Sequence, residues 1–279
     1  MKKGMGSQLN MDLGVKERHL ASLTSLRTLL DFAMEVAWQA GQLTLAHFQT
    51  AVDVEWKGDN SPVTVADRGA EELIRRLIAQ RFPDHAIIGE EFGETTRDSK
   101  YRWIIDPIDG TRSFVRGVPL YGVLIGLEIE GDAVLGVVYF PALREMVAAA
   151  RGEGCRWNGR LAHVSRIASL DQALLLYTDA SDFIKHGYGP VWERLQATTH
   201  TQRSWGDCYG HCLVATGRAE VMLDPVLSVW DAAPLLPILQ EAGGTFTDWN
   251  GSPTIYGVNG MSTNGLVLES VLQILKAQQ

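Results

Sequence analysis

The chain has 279 residues, 46% hydrophobic and 21% charged, with a formal net charge of −8. This is the composition of a globular chain with ample material for a core, in one large domain or two fused halves. The acid excess, with no clustered run of Lys and Arg, argues against a nucleic-acid or anionic-membrane surface.

The first 22 residues lack the apolar region of a secretory signal and read as a disordered leader. No run of 18 apolar residues marks a membrane span. A helix is expected over 22–49, where Leu26, Leu30, Ala33, Met34, Ala37, Gly41, Leu45 and Phe48 recur at helical spacing. A short strand over 52–56 and a helix over 67–81 follow, the latter ending before Pro83. "AIIGEE" (86–91) and "YRWIID" (101–106) read as strands that run into carboxylates, separated by a polar, mobile loop at 93–100. Residues 121–141 read as a hairpin turning at "EGD", and 145–160 as two more strands. Beyond about 165 helices and strands alternate: a strand at 173–178, a helix at 207–216, a turn and strand through "GRAEVMLDP", a helix at 230–242 stopped by Gly243-Gly244, and a closing helix at 268–278. The change of pattern divides the chain into halves, 23–165 and 166–279.

Three cysteines, Cys155, Cys208 and Cys212, are an odd number. That argues against a disulfide framework and for a reducing cytoplasm. Cys208 and Cys212 flank His211, a conceivable soft-metal site, but no second Cys/His pair has zinc spacing. Burial as small core residues is the simpler account. Trp56, Trp103, Trp205 and Trp249 read as core or loop anchors, not stacking platforms.

Carboxylates gather at element ends: Asp67, Glu90, Glu91, Asp106, Asp109 and Asp231. Each has an ordinary explanation, since "DPIDG" is good turn chemistry and an acid before a helix is a good cap. Together they suggest a site where strand ends meet helix starts. Crowded carboxylates are tolerated when a cation neutralises them, and an all-oxygen set selects Mg²⁺, Mn²⁺ or Ca²⁺. Gly110-Thr111, entering a helix, offers free N–H groups to a phosphate.

At these residues the chain resembles the Mg²⁺-dependent, lithium-sensitive phosphatases of the inositol monophosphatase family. The motifs are "GEE" (89–91), "DPIDGT" (106–111) and "WD" (230–231), followed by "EAGG" (241–244), with "VTVAD" (63–67) and Lys57 upstream. The resemblance spans about residues 25–275 and implies the family's layered αβαβα sandwich, an α/β (α+β) fold. It implies a first metal on Glu90, Asp106 and the Ile108 carbonyl, a second on Asp106, Asp109 and Asp231, and a weaker third near Glu90. Asp67 and Thr111 would polarise the attacking water, with Glu91 in support. The N–H groups of Gly110 and Thr111 would hold the phosphate of a small-molecule ester, and many relatives are homodimers.

Three features bear on the ester. "DPIDGTRSFVRGVPLYGVLIGLE" and "GDCY" (206–209) resemble the histidinol-phosphate phosphatase branch, although Arg112 stands where lysine is usual. Histidinol phosphate carries an ammonium and an imidazole, so its pocket needs carboxylates away from the metals; Asp207 and Asp224 are the candidates, with Arg203 nearby. Asp207 could instead be a helix N-cap, and Asp224 would also serve an inositol. "DNSPVT" (59–64) keeps a 3′-phosphoadenosine 5′-phosphate phosphatase in view, but Ser113 stands where those relatives carry Glu. A non-catalytic metal- or phosphate-binding module would be expected to have lost Asp109, Thr111 or Asp231, and all three are present.

Overall fold

A computed structural model describes residues 25–58 and 61–276; the leader expected over 1–22 lies outside them. The chain opens with α1 (Leu26–His47), capped by the Ser25 hydroxyl, which accepts from the Thr28 amide. Next come a small hairpin of β1 (Val54–Trp56) and β2 (Pro62–Thr64), and then α2 (Val65–Arg81). The strands β3 (Ala86–Gly89), β4 (Gly93–Thr95) and β5 (Tyr101–Asp109) lead into the short helix α3 (Thr111–Val115). A meander follows: β6 (Gly122–Ile129), β7 (Asp132–Phe140), β8 (Glu145–Ala150), β9 (Gly154–Trp157) and β10 (Arg160–Leu161). The remainder is β11 (Leu174–Tyr177), α4 (Ala180–Lys185), α5 (Gly189–Thr198), β12 (Thr201–Arg203), α6 (Asp207–Ala215), β13 (Val221–Asp224), α7 (Val229–Glu241), β14 (Thr245–Thr247), β15 (Gly260–Thr263) and α8 (Leu268–Lys276).

The strands form an eight-stranded sheet, ordered β10-β9-β8-β7-β6-β5-β3-β4, and a five-stranded sheet, ordered β12-β11-β13-β15-β14. The period-2 alternation of side chains sends each strand's residues to two different cores. In β5, Trp103 and Ile105 join the core under α1 and α2, while Ile104 joins the core shared with α6 and α7. In β13, Met222 faces that shared core, while Val221 and Leu223 face the core under α5 and α8. The layers are therefore α1/α2, large sheet, α6/α7, small sheet, α5/α8: the αβαβα sandwich that the resemblance implied.

Most expected elements are present with trimmed ends. Three differences have local causes. The polar stretch after Glu91 is not all loop: Gly93, at φ +65°, turns the chain back, and β4 pairs antiparallel with β3. The strand expected to end at Asp106 continues to Asp109. Trp103 and Trp249 are buried as expected, but Trp56 and Trp205 are exposed and anchor no core.

The position of α7 depends on a glycine notch. Gly126 and Gly136 face each other across β6 and β7. A Cβ on Gly126 would meet the Ala233 Cβ at 2.7 Å, and one on Gly136 would meet the Pro234 carbonyl oxygen at 2.0 Å. Only glycine lets the helix lie this close. Gly136→Val should therefore displace α7 and destabilise the fold by about 1–3 kcal/mol, seen as a Tm drop of about 2–10 °C on thermal unfolding. A Tm within 1 °C of the parent, on the order of scan-to-scan noise, would contradict the notch.

Candidate active site

Strand geometry alone would separate the two aspartates of "DPID". Residues three apart on a regular strand point to opposite faces. Here the register slips: Asp106 pairs with Leu124, but Asp109 pairs with Gly122, so three steps on β5 match two on β6. The extra residue is a β-bulge, and it reverses the parity so that both carboxylates reach one face. Pro107, which has no N–H to give to the ladder, stands inside the bulged segment.

Asp231 arrives from α7. It lies in the helix's first turn, and its Oδ2 accepts the Ser228 amide at 2.8 Å. Carboxylate oxygens of Asp106, Asp109 and Asp231 lie within 4.8 Å of one another. Each holds one backbone amide: Ile108 N to Asp106 Oδ1 at 3.0 Å, Cys208 N to Asp109 Oδ2 at 2.6 Å, and the Ser228 bond. Burial raises all three carboxyls above the usual range, reinforced by neighbouring acids: Glu90, Asp109 and Asp231 at Asp106, Asp231 at Asp109, and Glu90 and Asp224 at Asp231. Three hard oxygen donors, fixed by amides and mutually repulsive, fit a small divalent cation such as Mg²⁺.

Glu90 and Glu91 follow β3 and are bridged by Lys57, whose Nζ lies 2.7 Å from Glu90 Oε1 and 2.6 Å from Glu91 Oε1. Glu90 adds negative potential at Asp106 and Asp231 but stands outside the group of three. Burial lifts Glu91 to about 7 despite the lysine. The turn itself is held by Glu71, a buried acid of α2 that accepts the Glu91 and Phe92 amides and pairs with Arg75. Sequence reasoning missed Glu71, whose only signal is its i, i+4 spacing to Arg75 on a helix.

Asp67 is fully buried in the first turn of α2, where its Oδ2 accepts both the amide and the hydroxyl of Thr64. Its Oδ1 faces the Thr111 hydroxyl at 3.4 Å, and that hydroxyl also lies 2.9 Å from the Ile108 carbonyl. Burial raises the Asp67 carboxyl above its ordinary value. Gly110 takes φ +79° at the start of α3, a left-handed conformation that suits glycine.

A cleft of about 100 Å³ runs from Asp109 and Asp231 toward the small sheet. Its walls carry six aspartates: Asp109, Asp179, Asp182, Asp207, Asp224 and Asp231. Asp207 is not the helix cap. Gly206 holds that place, and the Asp207 side chain makes no capping bond. Asp207 instead adopts φ +51°, a conformation rare outside glycine, and lies half-buried on the cleft with its carboxylate beside Gly110. Burial and then the nearby Asp109 raise its carboxyl well above the usual range. Asp224 is 5% exposed and shares the cleft with His211. Arg203 is not brought to the cleft: it is exposed and donates to the Gln202 carbonyl. The three cysteines are buried and unpaired, and His211 bonds Ser262 and Asp224, so the Cys/His cluster is core. Thr178, Asp179 and Asp182 gave no sequence signal, because only folding brings the end of β11 and α4 to the cleft.

A family model described as the inositol monophosphatase family matches residues 25–278. A histidinol-phosphatase of Chlorobaculum parvum is 47% identical over 83% of this chain and 90% of its own length. A histidinol-phosphatase of Mycobacterium tuberculosis is 38% identical over 89% of this chain and 98% of its own. Among solved structures, the extragenic suppressor protein suhB from Bartonella henselae superposes with a TM-score of 0.84 at 28% identity, covering 89% of this chain and 98% of that one.

The crowding of carboxylates has a measurable consequence. With chelator present, Asp109→Asn should raise Tm, because it removes one of three mutually repelling charges. It should also lower Mg²⁺-dependent phosphate release by about 100-fold or more. Undiminished turnover, or a lower Tm in chelator, would contradict this account of the cluster.

Proposed function

The chain belongs to the inositol monophosphatase family of metal-dependent phosphomonoesterases, and we propose that its substrate is L-histidinol phosphate, hydrolysed to L-histidinol and phosphate in histidine biosynthesis. The observation that carries this reading is the set of four aspartates outside the metal cluster, Asp179, Asp182, Asp207 and Asp224, on the cleft beside the Gly110-Thr111 turn. An ester with an ammonium and an imidazole next to its phosphate suits a wall of that charge. The two histidinol-phosphatases among the relatives support it.

In this reading Asp106, Asp109 and Asp231 hold Mg²⁺, with Glu90 and the Ile108 carbonyl completing the set and a third ion near Glu90; Mn²⁺ would substitute. Cations held there would supply a water of lowered pKa and positive charge for the phosphoryl and leaving oxygens. The chain's own residues do the rest. Backbone N–H groups of Gly110 and Thr111 hold the phosphate. Thr111 and Asp67 orient the attacking water, and the raised pKa of Asp67 suits a group that accepts its proton. Glu91, lifted to about 7, supports proton movement at the edge of the site. Asp207 and Asp224 receive the organic moiety. A homodimer in a reducing cytoplasm completes the proposal, and the three unpaired cysteines suit such a compartment.

A second reading, inositol 1-phosphate, rests on Asp224, which would also accept a polyol hydroxyl. The two are separated by phosphate release from histidinol phosphate, inositol 1-phosphate, 3′-phosphoadenosine 5′-phosphate and fructose 1,6-bisphosphate, with and without Mg²⁺. Histidinol phosphate should lead in kcat/KM by about tenfold or more, the value of one charged hydrogen bond. A lead by any other ester would overturn the reading. Asp207→Asn keeps a residue that tolerates φ > 0 while removing the charge. It should reduce kcat/KM for histidinol phosphate by about tenfold and for inositol 1-phosphate by less than about threefold. Equal losses would reject Asp207 as the cation's partner.

A further inference from the structure

His211 has no part in the chemistry above, yet it is 1% exposed, polar and bonded at both ring nitrogens. Its Nε2 lies 3.0 Å from Asp224 Oδ2, and its Nδ1 lies 2.7 Å from the hydroxyl of Ser262, which is fully buried on β15. On the other side of Asp224, the Thr178 hydroxyl lies 2.7 Å from Oδ1 and also accepts the Asp207 amide at 2.9 Å. One continuous chain of hydrogen bonds therefore runs from the Asp207 backbone through Thr178, Asp224 and His211 to Ser262. It ties together the end of β11, the helix α6, the end of β13 and β15.

Donor counting fixes the direction of this chain. The Asp207 amide can only donate, so Thr178 accepts there and gives its single proton to Asp224. The Asp224 oxygen that faces the ring is an acceptor, so His211 Nε2 carries the proton between them. Asp224 then receives one donor on each oxygen, and a carboxylate has room for about two more. With His211 and Ser262 closed to solvent, water does not replace these donors.

The packing behind this contact is close. His211 lies one helical turn after Asp207 on α6. Gly210 lets that turn press against β13, since a Cβ there would meet Met222 Sδ at 2.6 Å. Met222 and Asp224 share a strand face by their spacing of two. The approach that seats Gly210 on Met222 thus carries His211 to Asp224.

We infer that His211 is a positioning residue for substrate selectivity: its Nε2–H, fixed by Ser262, holds the Asp224 carboxylate in one orientation on the cleft wall, where it receives the cationic group of an amine-bearing phosphate ester. The inference rests on the histidinol phosphate reading and adds the device that makes Asp224 selective.

The test compares steady-state kinetics on histidinol phosphate and on glycerol 2-phosphate, an uncharged-headgroup ester, both with saturating Mg²⁺. In His211→Leu, KM for histidinol phosphate should rise by about tenfold or more, the loss of a hydrogen bond to a charged group, while kcat falls by less than about threefold. The same variant should change kcat/KM for glycerol 2-phosphate by less than about threefold. His211→Gln, whose amide can donate near the Nε2 position, should recover at least half of the lost selectivity. Ser262→Ala should shift KM in the same selective direction; if His211→Leu does not fold, His211→Gln and Ser262→Ala carry the comparison. Equal losses on both esters, or a loss confined to kcat, would show a merely structural role and overturn the inference. Retained selectivity in the parent and in folded His211→Leu would overturn it while leaving the substrate reading intact. A parent enzyme without preference for histidinol phosphate would overturn the substrate reading and this inference with it.

Discussion

Three carboxylates held within 4.8 Å of one another, one buried and two half-buried at the head of the cleft, are the constraint on which the rest of the molecule depends. Left to relax, they would move apart or protonate, because burial and like charge both oppose ionisation. The fold prevents the first by tying each carboxylate to a backbone amide and seating its parent element in a packed layer. The second is met by a hard divalent cation, which suits an all-oxygen set. A site of this kind is expensive for the folded chain alone. It is better read as a receptor, in which the cost of crowding sets the affinity for the ion.

The same residues serve the fold and the site. Asp67 closes the first turn of α2 with one oxygen and faces Thr111 with the other. Asp231 likewise accepts the Ser228 amide at the start of α7 while joining the cluster. A capping acid has its rotamer fixed by the helix it caps, so its free oxygen is held in place without further contacts. This explains how Asp231 can both close the first turn of α7 and join the carboxylate cluster. For Asp207 the choice was real, and the glycine before it took the capping position.

How legible this was in the sequence differs from residue to residue. Helical and strand periodicities gave the main elements, and the motif residues gave the cluster, because chemistry fixes residue type at such positions. The β-bulge at "DPID" was not legible as such. The strand was expected to end at Asp106; a regular strand carried on to Asp109 would put the two aspartates on opposite faces, and only the pairing with β6 reveals the slipped register. The notch of Gly126 and Gly136 was also hidden, since two isolated glycines in strands say nothing about the helix that later lies on them. Glu71 looked like one partner of a surface ion pair, because its burial depends on the turn after β3. Asp179 and Asp182 are ordinary first-turn and surface acids in sequence, and the cleft is made only when the small sheet stacks on the α6/α7 layer.

The two groups of acids are held by different means, and this has a consequence for how such a site can change. Asp106, Asp109 and Asp231 are each fixed by a backbone amide, which no side-chain substitution removes. Asp224 is fixed by side chains, Thr178 on one oxygen and His211 on the other. In the proposed reading, the metal cluster is therefore insulated from substitutions around the cleft, while the wall assigned to the organic moiety is open to them. Replacing His211 or Thr178 would remove a bond that orients Asp224 and leave the metal cluster's backbone bonds in place. A fold built this way can exchange one phosphate ester for another without rebuilding the machinery that cleaves it.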